Sequence, residues 1–228
     1  IYAHEKIPII AGGTGFYIQA LLYDIDFTEQ ESDSAYRREL EALAEEHGNQ
    51  YLHDRLKEVD PESAEVIHPN NRKRVIRALE FFQETGGKIS EHNAKEQMRT
   101  SPYNFAYFVL NDERSHLYKR IDARVDKMIE DGLEAEVRRL KEMGCTKDMV
   151  AMQGIGYKEM LSYLDGGYSL EEAVYIIKRE TRHFAKRQIT WFKRERDVIW
   201  LNKNEFDYKN EAILAYMIKI LKEKAIIS

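Results

Sequence analysis

Apolar residues in this chain recur at two spacings, and the change from one to the other marks the predicted elements. Ile7 to Ala11 is a short apolar run that reads as a buried strand. A Gly-Gly-Thr-Gly turn follows, then an apolar helical segment ending at Leu22, so the opening predicts the strand, turn and helix of an α/β unit. From Ser32 the pattern becomes helical, with Asp33 as the expected N-cap of a helix running through Tyr36, Leu40 and Leu43 to a stop at Gly48. Helices are predicted over 50–59, 61–67 and 71–85, the last closed by Gly86 and Gly87, with Val75, Ile76, Leu79 and Phe82 as its apolar stripe. No strand pattern interrupts this block before about Pro102. Phe105 to Leu110 returns to strand. A helix from about Ser115 places Leu117, Ile121, Val125 and Met128 at helical spacing, and the next, 133–143, does so with Leu133, Val137 and Leu140. Gln153 to Lys158 predicts a glycine-marked loop entering a helix over 158–164. Ser169 with Glu172 forms a capping box for a long basic helix, Val198 to Leu201 a closing strand, and 210–224 a final helix.

This order predicts an α/β core contributed by 1–30 and 103–228, split by an all-helical insertion over 31–102. The formal net charge of −5 argues against a surface that is basic throughout. The charge is uneven, however. Acidic residues dominate from Asp24 to Glu65, whereas the segment from Lys178 to Arg196 is strongly positive, which fits a local binding track. Cys145 is the only cysteine, so an internal disulfide and a cysteine zinc site are both excluded, and a reducing cytosol is the expected compartment. No apolar run approaches the length of a membrane span. Because the chain opens on Ile1 and enters a strand almost at once, it reads as a piece of a longer protein.

Three stretches carry candidate chemistry. Wound at about 100° per residue, the basic helix sets Arg179, Arg182, Lys186 and Lys193 on one face and Ile177, Phe184, Ala185 and Phe192 on the other. That is either a solvated surface helix or the footprint of a nucleic-acid binder. Lys73, Arg74 and Arg77 project from the helix after His68-Pro69-Asn70-Asn71, again as a solvated helix start or as phosphate contacts. The glycine turn, with the Thr14 hydroxyl at a helix N-terminus, suits an anion, although a ligand-free turn reads the same way. Metal spacings of Cys and His, HExxH, GxSxG and GxxxxGK(S/T) are all missing.

Four segments, AGGTGFYIQALL at 11–22, IHPNNRKRVIRALE at 67–80, MQGIGYKEM at 152–160 and TRHFAKRQITWFKR at 181–194, together resemble the tRNA dimethylallyltransferases, also called tRNA isopentenyltransferases. The resemblance implies a P-loop-NTPase-like core, incomplete at its N-terminus, with a helical insertion that grips the anticodon arm. It implies transfer of a dimethylallyl group from dimethylallyl diphosphate to N6 of the adenosine 3′ to the anticodon, in tRNAs reading codons that begin with U. The phosphate loop and the aspartate general base of the family are expected upstream of Ile1. By resemblance Thr14 and Arg138 are catalytic, and Gly12, Gly13 and Arg138 meet the diphosphate with Mg²⁺ bridging its oxygens; no metal ligand is expected within this stretch. The implied tRNA contacts are Arg37, Lys73, Arg74 and Arg77, the loop Gln153, Gly154, Ile155, Gly156, Tyr157 and Lys158, and Lys186, Arg187, Gln188, Thr190 and Lys193 on the basic helix. Trp191 and Phe192 are expected in the core. The implied partners are the tRNA anticodon stem-loop and dimethylallyl diphosphate, with a cytoplasmic monomer and no membrane. An adenylate-type isopentenyltransferase using a free nucleotide is the runner-up, and a non-catalytic RNA-binding module is the third reading.

Overall fold

The computed structural model describes residues 1–25 and 35–228, so the Asp33 cap lies outside the described residues. The chain forms two compact units, Ile1–Ile18 with Asn104–Ser228, and Gln19–Tyr103. The first division falls inside helix α1, Gly15–Tyr23.

Unit Gln19–Tyr103 is helical, with α2 (Ala35–His47), α3 (Asn49–Val59), α4 (Pro61–Val66), α5 (Arg72–Thr85) and α6 (Ile89–Met98). Leu40, Leu52, Leu56 and Val75 are fully removed from water in its core, each burial contributing roughly 1.5–3 kcal/mol. The sequence pattern did not predict α6, because none of its residues is buried and it has no apolar stripe to betray it. Its start is fixed from a distance instead. The buried Asp60 carboxylate caps α4 through the Ser63 N–H (3.1 Å) and hydroxyl (2.7 Å), and also accepts the Ser90 N–H (3.0 Å) and hydroxyl (2.7 Å) at the first turn of α6. The unexpected helix also changes the face that α5 buries. Phe81 is buried, its ring 5.1 Å from that of His92 on α6, whereas the expected Phe82 is only half-buried.

The other unit contains β1 (Tyr107–Asn111), α7 (Arg114–Glu130), α8 (Leu133–Glu142), α9 (Tyr157–Leu164), α10 (Leu170–Phe192), β2 (Val198–Asn202) and α11 (Asn210–Glu223). β1 and β2 pair in parallel, in a register running from Tyr107 opposite Val198 to Asn111 opposite Asn202. A parallel pair needs a long crossover, here supplied by α7 to α10. Val125, Val137, Met160 and Ile177 form the centre of the core where α7, α8, α9 and α10 pack together. The Ser169 hydroxyl and the Glu172 carboxylate cap α10 reciprocally, as their spacing predicts.

Ile7 to Ala11, expected as a strand, forms none, and Ile9 is 89% exposed. A strand exists only through hydrogen bonds to a neighbour. The sheet of the described residues contains β1 and β2 alone, so the apolar run has nothing to pair with. The protein is thus mostly helical, with a small parallel sheet.

Candidate functional site

The glycine turn is seated on α10. The Gln188 amide donates to the Gly13 carbonyl at 2.8 Å, and the Trp191 ring lies against Gly15, edge-on to Phe16 at 6.4 Å. A β-carbon on Gly13 would collide with the Gln188 amide, and one on Gly15 with the indole. Gly13 and Gly15 therefore let the helix approach the turn closely. Thr14 stays exposed at the start of α1, its carbonyl accepting the Tyr17 and Ile18 N–H groups at 3.1 and 3.3 Å. Its hydroxyl thus stands at the positive end of a helix dipole.

The basic row on α10 divides into two halves. Towards the N-terminus the cations are neutralised: Lys178 pairs with Asp126 and Arg182 with Asp122 on α7, both at 2.5 Å, and Arg179 pairs with Glu180 at 2.9 Å. Arg182 therefore turns to α7, whereas the helical wheel set it in one outward row with Lys186. Lys186, Arg187, Lys193 and Arg194 are exposed, and none has a carboxylate partner among the described residues. Thr190 donates its hydroxyl to the Lys186 carbonyl at 2.9 Å. Ile177, Ala185 and Phe192 are buried as their spacing predicts, but Phe184 is 43% exposed, with the Arg187 guanidinium 5.8 Å from its ring centre. Beyond the helix end, burial raises the Glu195 carboxyl above its usual range, and the Trp191 indole and Arg196 only partly offset this.

The QGIGYK loop is held from within. Gly156, at φ 104°, gives its N–H to the buried Glu159 carboxylate at 2.8 Å, and the Tyr157 hydroxyl donates to Glu136 on α8 at 2.6 Å. The bond to Glu136, with some burial, raises the Tyr157 phenol above its usual value. Gln153, Gly154 and Lys158 remain exposed, and Ile155 is half-buried. Sequence reasoning missed Glu159. The signal was present, since glutamate three residues after Gly156 repeats the spacing of a capping box.

Arg138 lies on α8, half-exposed and bonded to Glu134 at 2.6 Å. Among the described residues no hydrogen bond or ion pair joins it to the glycine turn or to α10. The structure thus brings Gly13 to Gly15 together with Gln188 and Trp191, brings the QGIGYK loop together with α8, and leaves Arg138 beside Glu134. A cleft of about 290 Å³ opens at the C-terminal end of β1, walled by Leu117 and Arg120 of α7, Ala185 and Gln188 of α10, and Lys203. Ligands of open parallel sheets bind at that end of the strands.

In the helical unit, Lys73, Arg74 and Arg77 are exposed on α5 with no carboxylate partner among the described residues. Arg37 is half-buried on α2, where its guanidinium meets the buried Glu80 carboxylate at 2.5 Å. Among the described residues no helix is long and apolar enough to cross a membrane.

A small parallel sheet, a glycine turn clamped to a helix and exposed, unpaired cations on that same helix define a mostly helical protein with a small α/β core. The chain belongs to the IPP transferase family, whose model matches residues 1–195. It is 60% identical to a tRNA dimethylallyltransferase of Lachnoclostridium phytofermentans over 228 residues, 100% of this chain and 72% of that protein. It resembles the crystal structure of the full-length tRNA isopentenylpyrophosphate transferase of Bacillus halodurans with a TM-score of 0.64 and 41% identity, over 99% of this chain and 70% of that one. A eukaryotic dimethylallyltransferase acting on tRNA is similar with a TM-score of 0.70 and 30% identity, over 89% of this chain and 52% of that one.

Proposed function

We propose that this protein transfers a dimethylallyl group from dimethylallyl diphosphate to N6 of the adenosine 3′ to the anticodon, in tRNAs reading UNN codons. The observation that carries the reading is the seating of the glycine turn on α10, the same helix that bears the exposed, unpaired cations Lys186, Arg187 and Lys193. The similarity to named tRNA-modifying transferases supports it.

The chemistry sets the demands. An exocyclic adenine amine is a poor nucleophile, so the base must leave its stack, be held against the allylic carbon and lose a proton as diphosphate departs. Thr14 is assigned to the flipped base and Gly12, Gly13 and Arg138 to the diphosphate; a planar, permanently charged guanidinium suits that leaving group. Lys186, Arg187, Gln188, Thr190 and Lys193, with the loop from Gln153 to Lys158, follow the RNA backbone. The helical segment 31–102 grips the anticodon stem-loop through Arg37, Lys73, Arg74 and Arg77. Mg²⁺ is assigned to the diphosphate, whose negative charge it would offset as the group departs. The core is of the P-loop-NTPase type, and the protein acts as a monomer.

Incubation with labelled dimethylallyl diphosphate and either unmodified tRNA or AMP tests the reading. Label in tRNA and none in AMP is the expected result. Label in AMP would favour the free-nucleotide enzyme, and tRNA binding without transfer would favour the RNA-binding module.

A further inference from the structure

We infer that Phe184 is a stacking platform for an unpaired nucleobase of the bound RNA. The inference rests on the reading of α10 as an RNA track and adds a specific contact to it. Phe184, Gln188 and Trp191 follow one another at helical spacings of four and three, so they share a face of α10. The latter two hold the glycine turn, which places Phe184 one helical turn from the seat of Thr14. Its phase along the helix is that of a core residue, between the buried Ile177 and Ala185, yet it is 43% exposed. Leaving such a ring in water forgoes hydrophobic stabilisation that covering it would return.

The surroundings select the occupant. Arg187 lies over the ring at 5.8 Å and has no carboxylate partner among the described residues, whereas Lys186 and Lys193 stand on the opposite face of the helix. An aromatic ring beside an unpaired guanidinium suits a nucleobase attached to a phosphate backbone, because the base stacks while the cation meets a phosphate. A purely apolar protein segment would leave that guanidinium unanswered.

Affinity for an anticodon stem-loop RNA is measured for the wild type and for Phe184→Ala, Phe184→Leu, Phe184→Tyr and Phe184→Trp, each first checked for native circular dichroism. Base stacking is worth about 1–3 kcal/mol, so Ala and Leu should both weaken binding by about 5- to 150-fold, with the salt slope unchanged. Tyr and Trp should restore it to within about twofold, and a blunt RNA duplex without a loop should bind all five proteins alike. Wild-type affinity in the Leu variant would show that apolar volume alone matters and overturn the inference, as would wild-type affinity in the Ala variant. Failure of the wild type to bind the stem-loop would overturn the underlying RNA reading as well, a result distinguishable from the other two.

Discussion

Asp60 anchors two helices with one carboxylate, and replacing it with asparagine is a calculable perturbation. Oδ1 accepts the Ser63 N–H and the Ser90 hydroxyl, while Oδ2 accepts the Ser63 hydroxyl and the Ser90 N–H. Whichever way the amide turns, its NH₂ then faces one backbone N–H and one hydroxyl. The hydroxyl can rotate to accept; the backbone N–H cannot. One charge-assisted bond is lost outright and the others become neutral, at about 1.5–3 kcal/mol for a bond to a charged group, less what is saved by burying an amide instead of an ion. The expected loss is roughly 2–4 kcal/mol, which lowers Tm by about 10–20 °C for a unit of this size. Thermal unfolding followed by far-UV circular dichroism at pH 7 measures it. The pH dependence provides a second check. Burial alone would raise this carboxyl, but the bonds from Ser90 and Ser63 outweigh it and hold it below its usual range. A depressed folded-state pKa gives stability that is present above the unfolded value near 3.9 and lost as pH falls through the folded one. The gap between wild type and Asp60→Asn should therefore close only below about pH 4. A Tm change under about 3 °C at pH 7, or a gap independent of pH down to pH 3, would refute the double-cap account.

Three further substitutions probe the site. Lys186→Ala should flatten the salt dependence of tRNA binding by about 0.7–0.9 in log–log slope, whereas Lys178→Ala, whose charge Asp126 already answers, should leave it unchanged; equal slopes in both variants would remove Lys186 from the track. Arg138→Ala should reduce turnover far more than tRNA affinity in the label-transfer assay, and comparable losses would show that it does not serve the leaving group. Gly15→Ala gains about 1 kcal/mol of helix propensity but overpacks Trp191 at about 1–3 kcal/mol. It should lower stability by up to about 2 kcal/mol and alter the near-UV circular dichroism, read in a Trp200→Phe background; an unchanged signal would mean that the turn is not seated on α10.

Local pattern carried much of the fold. Every helix with an apolar stripe was legible from its period, as were the capping box at Ser169 and the apolar runs that became β1 and β2, because each depends on neighbours a few residues away. The four motif segments that define the family were legible for the same reason. What the sequence by itself could not determine are the pairings across long stretches of chain. Gln188 with Gly13, Asp60 with Ser90, Arg182 with Asp122 and Arg37 with Glu80 are unions of residues that no local pattern links. They decide which cations remain available, why Gly15 admits no side chain and why α6 begins where it does. Ile7 to Ala11 and Phe184 mark the boundary between the two. Sequence stated correctly that both are apolar and have the phase of buried residues. Burial, though, is a property of what packs against a side chain, and only the tertiary structure supplies or withholds that neighbour.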